Sequence, residues 1–424
     1  MSVQHTDAGA VRASPAHVLI LTFAASGLAI LPLISSHHLP LLDAPGHEAH
    51  LAILRDLLIS GRGSAFYEFD TLFLPNIAFE TIGLGLVRLV DPETAGRIFF
   101  GAALVLTLWG VLVLNRVVVG RWNIAPLISA LLLYNFVSID GFLNYSFSLA
   151  IVPWALAARL SLQRARVATR LLLGAGFGIV LLFCHAFAFG IYATMSMGFA
   201  LDALIRRRVG FVQIVVWALE LVPAAALFLS MSITGQVDFH YQTPFFVSKA
   251  FGIVKSLSSA SITGDTACFI GALLFFALLA TYSRIEVARP MLPGLTGLAA
   301  LYFALPSELV SGRYVDSRMP IAIAFLGLAS LDLRLCRSTV ASILVCLIAG
   351  TLVVKQVAIA VLWRSLDPMI DSFVAALARL PAGSIVMQVN CWPQARNHVL
   401  SNYRARQPPM LLLAGLASFD GSIL

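Results

Sequence analysis

The chain has 424 residues, 59% of them hydrophobic and 12% charged, with a mean hydropathy of +0.90. A soluble domain is about a quarter charged, and this much apolar surface excludes a water-soluble fold but suits a bilayer. The excess of 28 basic over 21 acidic residues is dispersed among apolar runs, which excludes a nucleic-acid partner.

A span needs about 20 apolar residues to cross about 30 Å of hydrocarbon. The first candidate is 16–36. Only Arg12 precedes it and no small-x-small site follows, so it reads as an uncleaved span. The later candidates are 95–114, 122–138, 142–160, 170–184, 186–204, 210–232, 266–283, 290–306, 319–335 and 338–362. The fold class is therefore an all-α polytopic membrane protein of about eleven transmembrane helices. Its transmembrane domain covers 1–362 and a small outer tail covers 363–424. The tail holds an amphipathic helix near 365–379, a turn at 380–384 and a strand at 385–389.

Segment 72–90 decides the topology. Arg-rich short loops lie around Arg116/Arg121, Arg159/Arg164/Arg166/Arg170, Arg206/Arg207/Arg208, Arg284/Arg289 and Arg334/Arg337. All five face the cytoplasm only if 72–90 does not cross. Its Pro75, Asn76, Glu80 and Arg88 fit an interfacial helix within a first outer loop of 37–94. The N-terminus is then cytoplasmic and the C-terminus outside. On this topology sixteen acidic residues lie outside, four lie inside (Asp7, Asp202, Glu286, Asp332), and Glu220 sits within a span. Polar chemistry is concentrated on the outer face. Of the 28 basic residues only Lys249, Lys255 and Lys355 are lysines, an Arg bias that points to a GC-rich bacterial source.

The outer loop begins Asp43-Ala44-Pro45-Gly46-His47-Glu48, followed by leucines at helical spacing. An interfacial helix thus starts just after Asp43. Asp43 is either its N-cap, with Pro45 in the first turn, or a carboxylate placed to take a proton from a bound hydroxyl. His47 and His50 share a helix face, with His37 and His38 nearby. No cofactor is expected, and this HxxH beside Asp43 is the place a divalent metal would take. Further along, Asp140, Asn144 and His185 mark outer turns. Asp238, His240 and Tyr241 open the outer loop at 233–265. Arg313 and Arg318 precede the span at 319–335, where an Arg fork suits a lipid phosphate, or alternatively pairs with Asp316. Glu220 and Lys355 are buried ionisable groups.

Asp43, Leu74-Pro75-Asn76 and Thr94-Ala95-Gly96-Arg97 fall in one order: loop carboxylate, Pro-containing interfacial stretch, small-small-Arg entry to a span. This pattern, over about residues 16–160, resembles the N-terminal module of the GT-C superfamily of membrane glycosyltransferases, the group of protein mannosyltransferases and aminoarabinose transferases. Two departures are Ala44-Pro45-Gly46-His47-Glu48 in place of paired acidic residues, and Leu74-Pro75 in place of Pro-Pro. The resemblance implies inverting transfer of a sugar from a polyprenyl-phosphate carrier to a lipid, glycan or protein acceptor at the outer face of a bacterial inner membrane. Asp43 would be the base and Arg313, ahead of Arg318, the phosphate clamp. Glu48, His47, Asn76, His185, His240 and Tyr241 would line the substrate site. The rival readings are a transporter or flippase of an amphipathic substrate, and an inactive relative serving as an assembly partner.

Overall fold

The computed structural model describes residues 14–62, 67–69, 75–163, 165–231, 239–259, 270, 273, 283–309, 312–335 and 338–381. The chain is a helical membrane protein. Its helices are α1 (Pro15–Ser35), α2 (Ala44–Leu58), α3 (Ala78–Leu86), α4 (Pro92–Val119), α5 (Phe136–Ile139), α6 (Leu143–Ser161), α7 (Val167–Cys184), α8 (Ala186–Ile205), α9 (Phe211–Leu219), α10 (Val222–Ser230), α11 (Phe245–Leu257), α12 (Leu292–Ala304), α13 (Met319–Ser330) and α14 (Ser338–Leu377). Among the described residues, α1, α4, α7, α8 and α14 are long and apolar enough to cross a membrane. The pair α9 and α10 is long and apolar enough together, bent by 43° at a short break, as in a broken span or a re-entrant loop. These helices turn large apolar side chains outward, such as Phe23 (67% exposed), Leu172 (74%) and Val354 (69%). Water would penalise that arrangement and lipid does not.

Several expected spans take other forms. The stretch 122–138 is a 3-10 helix, Ala125–Leu132, followed by the single turn α5. Asn135 explains the break. Its side chain accepts from the amides of Val137 and Ser138 while donating to the carbonyls of Leu132 and Leu133, so it replaces helix bonds with local ones. Irregular backbone at membrane depth needs partners from neighbouring elements. Tyr134 supplies its hydroxyl to the Ala29 carbonyl, and Lys355 donates to Leu131 O at 2.8 Å.

Helix α13 stops at Ser330, short of the expected 335. Asn115 of α4 donates to the carbonyls of Ala329 and Leu331, which ends the helix. The chain continues as strand β5 (Leu331–Leu335), antiparallel to β2 (Ser283–Val287). A second small sheet has the order β1 (Phe239–His240), β3 (Glu308–Leu309), β4 (Gly312–Arg313). The segment 142–160 forms α6, which carries Asn144 and Arg159. Most of the candidate span at 266–283 lies outside the described residues. So do the turn after Pro381, the strand at 385–389 and all later residues.

Helix α3 has nine residues, or about 13 Å at 1.5 Å per residue, which cannot cross a bilayer. It packs beside α2 and the start of α4, with the Ile77 amide donating to Phe183 O at 3.0 Å. Asp91 starts α4 by accepting from the Thr94 amide at 2.9 Å, with Pro92 in the first turn. In the second turn of α4, Arg97 reaches back to the C-terminal carbonyls of α1, Leu33 O at 2.8 Å and Ser36 O at 2.6 Å, and also holds Glu93 at 3.0 Å. A cation there neutralises the helix end.

The core lies among α1, α4, α6, α8 and α13, around Phe99, Phe100, Leu108, Tyr145, Met195 and Leu326. In lipid its stability comes from close fit rather than water exclusion. Helix α14 continues unbroken through residue 362, past Pro368. The expected amphipathic helix near 365–379 is therefore the extension of the last span. That extension reaches the loop after α1: the amides of His37 and His38 donate to Asp367 at 3.0 and 3.1 Å.

The basic loops gather at the opposite end. There Asp332 accepts from Arg121 and Arg334, and Arg334 also meets Glu286 at 3.3 Å.

Candidate functional site

At the end away from the basic loops, four turns distant in sequence converge on Asp43. The Asp43 amide donates to Asp140 O at 2.9 Å, and the Leu42 amide donates to Ile139 O at 3.3 Å. This backbone contact is close. Gly141 sits at φ +79°, and a Cβ there would stand 2.8 Å from the Asp43 nitrogen. Asp140-Gly141 is thus the turn that seats the catalytic candidate, and only glycine fits it.

Asp43 precedes α2 with φ −93° and ψ −8°, and its carboxylate makes no capping hydrogen bond. The helix is started instead by Pro45 in its first turn and by the His47 amide donating to Asp43 O at 3.2 Å. With the helix started in this way, the carboxylate takes no part in capping. One side of Asp43 is open and the other is packed by protein. That packing lifts its carboxyl above the ordinary value, against the opposing pull of His47 and Arg318.

Arg318 lies at the end of the 3-10 turn Asp316–Arg318, before α13. Its guanidinium is held among rings, 4.5 Å from the centre of Phe142, 5.6 Å from Phe187 and 5.8 Å from Tyr145. Tyr145 also donates its hydroxyl to Arg318 O at 2.7 Å. Burial pulls Arg318 below its usual pKa, and the charges of Asp43 and Asp140 act the other way. An aromatic cage with acidic neighbours fixes the side chain while its fork stays charged.

His185 closes the turn between α7 and α8. Its Nε2 lies 3.1 Å from an Arg318 nitrogen, and its Nδ1 accepts from the Phe187 amide at 3.1 Å. Burial, with Arg318 beside it, holds the ring neutral. A neutral imidazole has one acceptor nitrogen, so these two contacts are alternatives.

His47 faces Glu80 of α3, Nδ1 to Oε1 at 3.0 Å. Asn144 ties this pair to α6. It donates to Glu80 at 3.3 Å and to Asn76 O at 2.6 Å, and it accepts from the Phe79 amide at 2.6 Å. Asn76, at φ +69°, therefore contributes its carbonyl rather than its exposed side chain to the network. Burial pushes Glu80 up, but the bonds from His47 and Asn144 outweigh it and leave the carboxyl below its ordinary value.

The structure thus brings together Asp43, His47, Asn76, His185 and Arg318. Other expected site residues lie elsewhere. Glu48 is 2% exposed and points from the opposite face of α2 at Gly96, next to Glu93 and Arg97. Burial there raises its carboxyl well above the ordinary value. His240 and Tyr241 are exposed around β1, and Tyr241 donates to Ala304 O at 2.8 Å. Arg313 lies in β4 opposite Glu308, and the position of its side chain is not described. Asp316 pairs with Lys249 at 2.8 Å.

Glu80, Asn144, Tyr145 and Lys255 also belong to this end of the molecule. The Lys255 ammonium sits 3.9 Å from the Tyr314 ring and 4.3 Å from that of Phe136. Adjacency of Asn144-Tyr145 to the Asp140-Gly141 turn was the available sequence signal for the first two neighbours of the turn. Nothing in the sequence singled out Lys255. Among the described residues no three His, Cys, Asp or Glu side chains gather to hold a metal ion.

No family model matches the chain, and no curated protein matches it. A solved structure, ArnT from Cupriavidus metallidurans bound to undecaprenyl phosphate, is similar at 16% identity and a TM-score of 0.45. The match covers 96% of this chain and 76% of that one.

Proposed function

We propose that the chain is a glycosyltransferase that moves a sugar from a polyprenyl-phosphate carrier to a hydroxyl of a lipid, glycan or protein acceptor, at the outer face of a bacterial inner membrane. The observation that carries this reading is that a carboxylate with no capping bond, Asp43, and a caged guanidinium, Arg318, stand near enough at one end of the bundle for each to feel the other's charge. The resemblance of Asp43, Pro75 and Arg97 to the GT-C pattern supports it.

In this mechanism Asp43 removes the proton from the acceptor hydroxyl. The acceptor oxygen attacks the anomeric carbon, the bond from that carbon to the phosphate oxygen breaks, and the lipid phosphate leaves with inversion at the sugar. Arg318 steadies the charge that grows on the leaving phosphate. His47 and Glu80 form the polar wall beside the base. General-base help is worth on the order of 10² to 10⁴ in rate.

A transport path would use the buried ionisable groups Glu220 and Lys355. Glu220 is held by Arg159 and Arg170, and Lys355 donates to backbone at Leu131. Both therefore have structural work already.

The test is mass spectrometry of lipid-linked sugars and surface glycans in wild type, a deletion strain, and the deletion complemented with Asp43→Asn at matched protein level. A modification lost in the deletion and not restored by Asp43→Asn supports transfer. Full restoration by Asp43→Asn overturns it.

A further inference from the structure

The opposite end of the bundle holds a second concave site. A cavity of about 400 Å³ opens there between the ends of α4, α6, α7, α8 and α9, and its lining includes Gln163, Arg170, Asp202, Arg208, Gln213 and Trp217. A water-sized space beside it, bounded by Arg159 and Glu220, shares Gln163, Arg170 and Trp217 with the larger one.

The charges around these spaces do not balance. Glu220, 2% exposed, accepts from Arg159 at 3.0 Å and from Arg170 at 3.3 Å, so two guanidiniums share one carboxylate. Both lie over the Trp217 ring, at 5.0 and 5.7 Å. Arg159 is 8% exposed and its Nη2 is buried without a partner among the described residues. The other acid, Asp202, is already bound to Arg206 at 2.8 Å. Arg208 adds an exposed positive charge at the cavity mouth. An uncompensated charge buried at membrane depth is costly unless an anion completes it. Gln213, with its amide oxygen turned inward, accepts from Trp217 Nε1 at 3.0 Å and from the two terminal nitrogens of Arg170 at 3.0 and 2.9 Å. It solvates Arg170 but brings no negative charge.

Exposed apolar side chains adjoin the lining residues in sequence: Ile205 (68% exposed) lies between Ala203 and Arg208, and Phe211 (74%) and Val212 (77%) directly precede Gln213. A ligand that satisfies both surfaces carries an anionic group and a hydrocarbon tail. We propose that this cavity binds the phosphate headgroup of an anionic membrane lipid, with its chains along Ile205, Phe211 and Val212. The site is separate from the Asp43–Arg318 cluster and independent of any transferase activity.

The experiment uses the purified full chain in neutral detergent, titrated with phosphatidylglycerol, phosphatidylcholine or inorganic phosphate. Bound lipid is counted by native mass spectrometry and melting is followed in parallel. Phosphatidylglycerol is expected to be retained and to raise the melting temperature, while the other two do neither. Arg208→Glu removes an exposed charge, and Gln213→Glu places a carboxylate where the amide already receives Arg170. Each is expected to fold and to weaken phosphatidylglycerol binding by about tenfold or more, the scale of one lost charge-assisted contact. Equal binding of phosphatidylcholine overturns the proposal. So does phosphatidylglycerol binding that both variants leave intact. A full response to inorganic phosphate alone would replace the lipid with a soluble phosphate ligand and overturn it too.

Discussion

Arg318 and His185 are 133 residues apart in the chain, yet a guanidinium nitrogen of one stands 3.1 Å from Nε2 of the other. The contact joins the turn between α7 and α8 to the loop before α13, directly across from Asp43. If this pairing orients the phosphate clamp, His185→Ala should raise KM for the lipid-linked donor more than it lowers kcat. Arg318→Lys keeps the charge but loses the planar fork, and should lower kcat/KM by about tenfold to a hundredfold. Steady-state kinetics with purified protein and a polyprenyl-phosphate sugar separate the two. Unchanged kinetics in both variants would remove the clamp.

Asp43→Asn is expected to leave the melting temperature within a degree or so of wild type, because its carboxylate caps nothing. Activity should fall by about 10² to 10⁴. Asp91→Ala makes the informative contrast. Asp91 does cap α4, through Thr94. Cap losses cost about 1 kcal/mol, so this variant should lose some stability and keep its activity.

Gly141→Ala tests the seat of the base without touching any reacting group. A methyl at φ +79° would press on the amides of Asp43 and Ala44, at 2.8 and 3.0 Å. The variant should reach the membrane, keep donor binding, and lose at least tenfold in kcat through a misplaced carboxylate. Wild-type kcat would show that the turn does not set Asp43.

Two groups stabilise the fold less as pH rises, each in its own window. Asp43 titrates above its ordinary 3.8, so the unfolded chain releases this proton first. Its contribution to stability falls as pH rises through that window, while activity that needs the ionised base rises over the same range. His38 is raised from 6.5 to about 9 by its contact with Glu93, helped by Asp371 and opposed by burial. Its contribution is complete below pH 6.5 and is lost as pH climbs through about 9. Melting curves from pH 6 to 10 should decline, and His38→Gln should flatten them.

The large features were legible because lipid imposes them. Long apolar runs gave α1, α4, α7 and α8 to within about five residues, and the start of α14 but not its far end. The Arg-rich loops argued against a crossing at 72–90, and among the described residues of that segment lies a nine-residue helix, Ala78–Leu86. What stayed hidden depends on partners distant in sequence. The 3-10 path of 125–132 follows from Asn135 competing for its own backbone and from Lys355 and Tyr134 arriving to satisfy it. Strand β5 needed β2 as a partner, so Leu331–Leu335 read as the end of a span. Glu48 looked like site lining because it follows His47. One residue is about 100° of helix, which turns Glu48 toward α4 instead. The sequence put Arg313 ahead of Arg318, and the aromatic cage of Phe142, Tyr145 and Phe187, which only the fold assembles, is what turns the proposal to Arg318.

Helix α14 runs 40 residues, about 60 Å and twice the hydrocarbon thickness. Its far end receives the amides of His37 and His38 on Asp367, and His38 also meets Asp371 at 2.9 Å. The loop leading to Asp43 is therefore fastened by a segment about 330 residues further along the chain. During synthesis α1 and the loop after it are made long before α14, so this latch closes only once α14 has followed the other helices into the bilayer. A chain cut short before α14 thus carries every residue of the Asp43 cluster and still lacks the fastening of the loop that leads to it.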